Sequence, residues 1–239
     1  MTDLLYRKDW YAREAQGTVT GHTPEGGIIL DATIFYAQGG GQPGDAGELN
    51  WRGETVAIEN AVKGPGEDVV LLPAAGAPLP PVGAEVRQLL DWDRRYRHMR
   101  VHTGLHLLSV VIPLPVTGGS IGAEKGRLDF DMPEAPEDRD GLQLRLQELV
   151  DRDLPVTEEW ITDADLDANP GLVKTMSVRP PMGQGRVRLI RIGTGEARVD
   201  LQPCGGTHVA STGEIGRIAL GKIEKKGARN RRVNLLLAD

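Results

Sequence analysis

The amino-acid sequence is poor in cysteine, in aromatic residues and in long apolar runs. Its 239 residues include one cysteine, which cannot form a disulfide within the chain. Phe, Trp and Tyr make up 4% of the residues, so we expect a core of mainly aliphatic side chains. No run approaches the roughly 18 apolar residues that a membrane-spanning helix needs, and residues 1–14 lack the apolar centre of a signal peptide. These absences argue against a membrane protein and predict a cytoplasmic one.

Positive charge is also scarce over the chain as a whole. The 28 Lys and Arg residues are outnumbered by 34 Asp and Glu residues, which gives a formal net charge of −6 at pH 7. This total argues weakly against a nucleic-acid partner, but an RNA-binding surface needs only a local basic patch. Glycine and proline, in contrast, are abundant, with 31 and 16 residues. They predict many turns in a chain long enough for one large domain or two small ones.

The first predicted domain covers residues 1–85. Its short apolar stretches, such as 26–36 and 67–72, are separated by Gly, Pro and Asn clusters, which is typical of a small β-barrel or sandwich. The Pro-rich stretch 71–85 interrupts both strands and helices, so we place the domain boundary at its end.

The second predicted domain covers residues 86–239 and mixes helices with strands. Helical patterns cover 91–112 and 138–152, and prolines follow both. The segments with a strand-like pattern are 126–132, 187–192, 196–202, 215–226 and 231–237. Because the elements show no βαβ rhythm, we expect an α+β fold with an antiparallel sheet.

Four residues of the second domain have the composition of a zinc site. His102 and His106 are four residues apart on one predicted helix, so both imidazoles lie on the same face. Cys204 and His208 flank a segment with two glycines, which allows the chain to turn tightly. Each pair alone is more typical of solvent-exposed histidines or of a small buried cysteine than of a metal site. Together, a thiolate and three imidazoles form a ligand set typical of Zn²⁺.

Two points about this site stay open at the level of sequence. His98 lies one helical turn before the histidine pair, either beside the ligands or facing a nucleic acid. Four protein ligands are typical of structural zinc, whereas catalytic zinc usually keeps an open position. Catalysis would need a displaced ligand, five-coordination, or a zinc ion that positions the substrate.

Three motifs together resemble a known family. They are RRYRHMRVHTGLHLLSVV at 94–111, PCGGTHVASTGEIG at 203–216 and FYAQGGGQPGDAGEL at 35–49. This set resembles the editing domain of alanyl-tRNA synthetase and the free-standing alanyl-tRNA editing proteins of the AlaX family, in particular the medium-length class. The chain begins at Met1 without room for an aminoacylation domain, so we expect the free-standing form.

The resemblance implies an activity and a set of site residues. The activity is hydrolysis of serine, with glycine as a second candidate, from mischarged tRNA specific for alanine, which protects the fidelity of protein biosynthesis. The resemblance also implies a translation-factor-like β-barrel followed by a zinc-binding α+β editing domain. It assigns His102, His106, Cys204 and His208 as zinc ligands, and we expect the first three of these and Thr103 to act in catalysis.

Recognition of the serine hydroxyl group is less well defined by the motifs. Many synthetase editing domains carry a threonine immediately before the second histidine, where this chain has Leu105. We consider Thr103 and Ser120 as alternative hydroxyl groups for this recognition, or else as ordinary polar residues of a helix and a turn.

The Gly-rich segment 37–45 allows three interpretations. It lacks the Gly-Lys-Ser/Thr ending of a phosphate-binding loop, so no nucleotide cofactor is expected. A plain hairpin is one alternative. The resemblance favours a loop near the editing site, in which Gly39, Gly40, Gly41 and Gln42 approach the end of the tRNA.

Basic residues cluster in two places despite the acidic total. Seven lie between residues 217 and 232, and four more, Arg94, Arg95, Arg97 and Arg100, lie on the histidine-containing helix. Such runs are often solvated faces, but their position around both halves of the metal motif favours tRNA as a partner. Within the first cluster, the expected tRNA contacts are Lys225, Lys226, Arg229, Arg231 and Arg232.

Two other functions stay as alternatives. One is a tRNA-binding module without catalytic activity whose zinc is structural. The other, a metalloprotease, is disfavoured because HTGLH has no glutamate after its first histidine to act as a general base. The oligomeric state is not predicted by any motif.

Overall fold

A computed structural model describes residues 1–175 and 185–238. The chain divides into two compact units, Met1–Tyr96 and Arg97–Asp239. The boundary expected at residue 85 falls at the start of a strand, Glu85–Leu90, that pairs within the first unit. The Pro-rich stretch therefore precedes the last strand of this unit. The predicted second domain, 86–239, includes positions 176–184 and 239, which lie outside the described residues.

The first unit is a closed antiparallel barrel, which confirms the predicted barrel fold. The strands follow the order β2-β3-β7-β6-β5-β8 around the barrel. A short parallel pair, β1 with β4, lies outside this order. The strands are β1 Asp3–Leu4, β2 Glu14–His22, β3 Ile28–Leu30, β4 Ala32–Thr33, β5 Gly47–Trp51, β6 Glu54–Lys63, β7 Val69–Pro73 and β8 Glu85–Leu90.

Alternating burial along the strands produces the barrel core. In β6, for example, Val56 and Ile58 are buried while their neighbours are exposed, as expected for a strand with one face inward. The core is largely aliphatic, with Phe35 and Trp51 as its aromatic members. The scarcity of aromatic residues in the sequence thus agrees with the packing of this unit.

Helix α1, Trp92–Val111, begins in the first unit and continues into the second. Asp91 caps it, because the Oδ1 atom accepts a hydrogen bond from the backbone N–H of Arg94 at 3.1 Å. In the second unit, Val101 and Leu105 pack closely on Gly126 of the neighbouring sheet. A Cβ atom at Gly126 would lie 2.6 Å from Cγ1 of Val101 and 2.9 Å from Cδ1 of Leu105. The glycine therefore permits the close approach of helix and sheet.

Among its described residues, the second unit contains two antiparallel sheets and two further helices, which confirms the α+β prediction. One sheet has the order β14-β15-β10-β9 and the other β11-β12-β13. The elements are β9 Val116–Ile121, β10 Lys125–Asp131, α2 Arg139–Asp151, β11 Val156–Thr162, α3 Asp163–Ala168, β12 Arg186–Ile192, β13 Asp200–Pro203, β14 Ile218–Lys225 and β15 Asn230–Leu237.

Some local predictions differ from the structure. The strand expected over 196–202 is wrong in its first half, because Gly195–Ala197 form a 3₁₀ turn and β13 begins at Asp200. The short helix α3 was not predicted, although Thr162 and Asp165 form a capping box at its start. Among the described residues, the helices are too short or too polar to cross a bilayer.

Candidate metal centre

Four side chains of the second unit converge on one point. Helix α1 presents His102 and His106 one turn apart, and the turn after β13 presents Cys204 and His208. One ligand atom from each residue lies within 4.8 Å of all the others. The Sγ atom of Cys204 is 3.4 Å from Nε2 of His102 and 3.4 Å from Nε2 of His208. The structure thus brings together all four ligands expected from the sequence.

Two of the separations between these atoms match those expected at a tetrahedral zinc site. With Zn–S near 2.3 Å and Zn–N near 2.0 Å, tetrahedral geometry places sulfur and nitrogen about 3.5 Å apart. The two observed sulfur–nitrogen distances of 3.4 Å are close to this value. The three histidines are buried, whereas Cys204 is partly exposed. Cys204 is thus the most exposed residue of the four.

A carboxylate orients His106. Its Nδ1 atom lies 2.9 Å from Oδ2 of Asp200, so Nδ1 donates to the carboxylate and Nε2 is left for a metal. Asp200 is itself held by Lys174, whose Nζ donates to Oδ1 at 2.6 Å, and by Gln202, whose Nε2 donates to Oδ2 at 2.7 Å. This arrangement is the carboxylate–histidine support found behind many metal ligands.

A hydroxyl group orients His208. The Oγ1 of Thr103 donates to the carbonyl of Met99 at 2.9 Å and lies 3.2 Å from Nδ1 of His208. Because the hydroxyl proton is directed to Met99, Oγ1 acts as the acceptor for Nδ1–H. The backbone N–H of Val209 donates to the same oxygen at 3.3 Å. This tautomer of His208 leaves Nε2 for a metal.

The charges within the cluster depend on one another. Burial by itself would lower the pKa of His106, but hydrogen bonds with Asp200 and Cys204 raise it from 6.5 to about 9. Burial opposes ionisation of Cys204, but the charges of the neighbouring histidines lower its pKa well below 9.0. Burial and the charge of His102 lower the pKa of His208 well below 6.5. The cluster thus favours a thiolate and a neutral His208, the forms that bind a metal, whereas His106 holds a proton at neutral pH that metal binding must release.

Comparison with known proteins agrees with this geometry. Residues 187–234 match the model for the threonyl and alanyl tRNA synthetase second additional domain, and residues 10–94 match the model for class II (A) tRNA synthetases. The alanyl-tRNA editing protein AlaX-M of Methanosarcina acetivorans is 30% identical over 100% of both chains. This chain belongs to the AlaX family of alanyl-tRNA editing proteins. The resemblance identified from the three motifs is thereby confirmed.

Two longer proteins contain a region similar to nearly all of this chain. The AlaX-L editing protein of Pyrococcus horikoshii is 33% identical over 95% of this chain and 55% of its own length. The alanine–tRNA ligase of Pyrobaculum neutrophilum is 36% identical over 94% of this chain and 25% of its own length. The region common to all of them includes both units described above.

The Gly-rich segment of this AlaX protein forms a tight hairpin turn in the first unit. Gly39 and Gln42 exchange two backbone hydrogen bonds, of 3.1 and 2.9 Å. Gly40 and Gly41 between them have φ angles of 58° and 84°, which favour glycine over other residues. Both central glycines are exposed and Gln42 is buried. Strand β5 rather than a helix follows, so the segment lacks the helix N-terminus of a phosphate-binding loop.

Two predicted nucleic-acid contacts on α1 are contradicted by burial. Arg95 was expected in a basic RNA-facing cluster, but its side chain is fully buried and its guanidinium is paired with Asp45. The same guanidinium donates to the carbonyl of Ile34 at 2.7 Å, so Arg95 stabilises the first unit. His98 is 2% exposed, which excludes the alternative in which it faces a nucleic acid.

The basic segment near the C-terminus has acidic partners, two of which lie on the neighbouring strand β10. Arg232 of β15 donates to its cross-strand neighbour Asp129 of β10 at 2.8 Å. Arg229, just before β15, donates to Asp131 of β10 at 2.8 Å. Lys226 pairs with Glu224 at 2.7 Å. Arg231 is buried and donates to main-chain carbonyls, whereas Lys225 is exposed. Ser120 is exposed on β9, an edge strand of this sheet.

Several residues that support the centre were missed by sequence reasoning. Asp200, Gln202 and Lys174 support His106, and Arg188 contacts the turn that carries Cys204. A carboxylate four residues before the cysteine was the one available signal, since metal-bound histidines commonly donate to a carboxylate. The sequence positions of Lys174 and Arg188 offered no comparable indication.

Proposed function

We propose that this AlaX protein is a zinc-dependent deacylase that hydrolyses serine from mischarged tRNA specific for alanine. The observation that carries the proposal is the convergence of His102, His106, Cys204 and His208 in a chain of the alanyl-tRNA editing family. In the proposed site, these four residues hold Zn²⁺. Bound zinc supplies a Lewis acid that can polarise the ester or lower the pKa of a water molecule.

The residues around the cluster prepare it for this chemistry. Asp200 and Thr103 hold the imidazoles of His106 and His208 with Nε2 directed inward. We place the entry of the aminoacyl end of the tRNA on the side of Cys204, the most exposed residue of the four. Ester hydrolysis needs a positioned water and stabilisation of the developing oxyanion, both of which benefit from ligands that do not reorient during the reaction.

Selectivity for serine over alanine requires polar recognition. A pocket that accepts serine cannot exclude the smaller alanine by size, whereas a buried group that pairs with the serine hydroxyl is left unpaired by alanine. Of the two hydroxyl groups considered for this task, that of Thr103 is engaged by Met99, His208 and Val209. Ser120 is exposed on an edge strand and stays our candidate for this contact.

We assign tRNA backbone contacts to the exposed basic residues of the β14–β15 hairpin. Three of these residues are exposed: Lys225, Lys226 and Arg229. A phosphate group would have to compete with Glu224 for Lys226 and with Asp131 for Arg229. The exposed glycines 40 and 41 of the first unit complete the proposed contact set, with Gly39 and Gln42 shaping their turn. Phosphate contacts of this kind make binding strongly salt-dependent.

The decisive experiment measures deacylation of tRNA for alanine that carries serine, glycine or alanine. We expect rapid loss of serine with the zinc-loaded wild type, a slower or absent reaction with alanine, and loss of activity in Cys204→Ala and His106→Ala. His22→Ala, which removes a histidine of the first unit, serves as the control and should keep its activity. A folded, zinc-loaded wild type that leaves the serine ester as stable as buffer does would refute the proposal.

The complete set of four protein ligands favours one other function, a tRNA-binding module with structural zinc. Cys204→Ala separates the two. A catalytic site should lose deacylation while the protein stays folded and binds tRNA. A structural site should lose thermal stability and tRNA binding together.

The tRNA contacts are tested by the salt dependence of binding. Lys225→Ala and Arg229→Ala should weaken tRNA binding and reduce the salt slope by about one per lost phosphate contact. Arg145→Ala removes an exposed arginine from α2 and provides a matched control. If all three substitutions weakened tRNA binding equally, the binding would depend on the overall charge of the protein. That result would refute a specific contact at the hairpin.

A further inference from the structure

We propose that Arg188 is a positioning residue that holds the turn 204–208 in the conformation that presents Cys204 and His208 to a metal. The inference rests on the proposed zinc site but not on the identity of the tRNA substrate. Arg188 lies on β12, and its side chain is 6% exposed. Its Nη1 atom donates to the carbonyl of Cys204 at 2.9 Å and to the carbonyl of Gly206 at 2.9 Å.

These contacts attach the turn to the sheet from two directions. The backbone carbonyl of Arg188 accepts a hydrogen bond from the N–H of Cys204 at 3.2 Å, so main chain and side chain of one residue hold the same segment. On its other side, the guanidinium donates from Nε to Oε2 of Glu158 on β11 at 2.6 Å. The planar guanidinium is therefore fixed at one edge by a carboxylate and directs its other edge at the turn.

The turn needs such support because of its composition. Gly205 and Gly206 separate Cys204 from Thr207, and glycine has more conformational freedom than any other residue. A Cβ atom at Gly205 would meet no atom within 4 Å, so side-chain packing does not confine this position. The hydrogen bonds from Arg188 restrain the carbonyls on both sides of Gly205. They thereby restrict the position of Sγ relative to the imidazole of His208.

The same two strands provide a matched control. Arg191, also on β12, donates to Glu159 of β11 through Nε at 3.1 Å, in an ion pair like that of Arg188 with Glu158. Arg191 is bonded to this carboxylate rather than to the carbonyls of Cys204 and Gly206. Loss of Arg191 therefore removes a comparable β11–β12 ion pair and leaves the contacts to the turn intact.

The experiment measures metal binding by the full chain, independently of tRNA. Zinc affinity is obtained by competition with a chromophoric chelator, and thiolate ligation from the charge-transfer absorption of the cobalt-substituted protein. We expect Arg188→Gln to weaken zinc binding about 10- to 100-fold and to reduce the thiolate–cobalt band, as for other residues that orient ligands. Arg188→Lys should recover part of the loss, and Arg191→Gln should stay within about twofold of wild type.

The unpaired Glu158 left by Arg188→Gln could unfold the protein, so the double variant Arg188→Gln with Glu158→Gln removes both charges. The inference is supported if a folded double variant also shows the loss of affinity and the weaker thiolate band. It is overturned if folded Arg188 variants bind zinc and cobalt like wild type, or if Arg191→Gln causes an equal loss. Deacylation that fails in the wild type while this binding pattern holds would refute the proposed function alone.

Discussion

The hydroxyl oxygen of Thr103 lies 3.2 Å from Nδ1 of His208 and links helix α1 to the turn that carries two of the four candidate ligands. Thr103→Val keeps the shape but removes the hydroxyl oxygen that accepts the hydrogen bond from Nδ1–H of the buried His208. We expect zinc affinity to fall about tenfold and the free energy of unfolding to fall by about 1–3 kcal/mol. Chelator competition and urea unfolding measure the two effects.

Two further variants separate orientation of His208 from general stability. Thr103→Ser retains an acceptor and should recover most of the zinc affinity. Thr212→Val removes another buried threonine, whose hydroxyl group bonds the carbonyl of Leu149 at 2.9 Å, and should lower stability without changing zinc affinity. If Thr103→Val and Thr212→Val had the same zinc affinity, Thr103 would have no special role at the site.

The carboxylate of Asp200 should determine how well His106 binds a metal. Asp200→Asn removes the charge that accepts the Nδ1 proton of His106 and that pairs with Lys174. We expect zinc affinity to fall about 10- to 100-fold, with a smaller fall for Lys174→Met. Asp131→Asn, which breaks an ion pair with the exposed Arg229, is the control and should bind zinc like wild type. An unchanged affinity in Asp200→Asn would show that the carboxylate does not orient the imidazole.

Leu105 stands where many synthetase editing domains have a threonine, yet its side chain faces the sheet at Gly126. It is 4% exposed. Leu105→Thr should therefore reduce the free energy of unfolding by about 2–4 kcal/mol through lost burial. The ratio of serine to alanine deacylation should stay unchanged. Leu144→Thr, at an exposed position of α2, should change stability by less than about 0.5 kcal/mol.

Kinetic and stability measurements on the same preparation distinguish the outcomes for Leu105. A several-fold gain in serine selectivity together with unchanged stability would show that position 105 faces the substrate. That result would contradict the packing of Leu105 against β10.

Asp129 should make folding sensitive to acid. Burial by itself would raise its pKa, but hydrogen bonds from Arg232 and Arg127 lower the pKa of Asp129 below 3.8 in the folded protein. The ionised carboxylate therefore stabilises the fold at pH values above the unfolded pKa, and this contribution disappears as the pH falls through the lower folded pKa. Asp129→Asn should lower stability by about 1–2 kcal/mol at pH 7, and progressively less below pH 3.8.

Denaturant unfolding at several pH values between 2 and 7 provides the measurement. Asp3→Asn, which breaks the exposed pair with Lys8, should have little effect at any of these pH values. A stability difference between Asp129→Asn and wild type that did not shrink in acid would contradict the assigned cause.

Much of the fold could be predicted from local patterns of apolar and polar residues in the sequence. Helix α1 was predicted because apolar residues recur with helical spacing before Pro113, and β10 because its side chains alternate. The strand predicted over 196–202 was wrong in its first half because Gly195–Ala197 form a 3₁₀ turn, which alternation of residue types does not reveal. The burial of Arg95 was unpredictable for a similar reason. Its partner Asp45 lies 50 positions away, so only the packed structure brings the two charges together.

The sequence by itself determined the four candidate ligands, because helix periodicity places His102 and His106 on one face and a Gly-Gly segment brings Cys204 near His208. Only the tertiary structure decided what holds them. The contacts of Asp200 with His106, Thr103 with His208, and Arg188 with the turn 204–208 join residues from different helices, strands and turns. Such hydrogen bonds depend on how sheets and helices pack, so the sequence alone does not establish which residues pair.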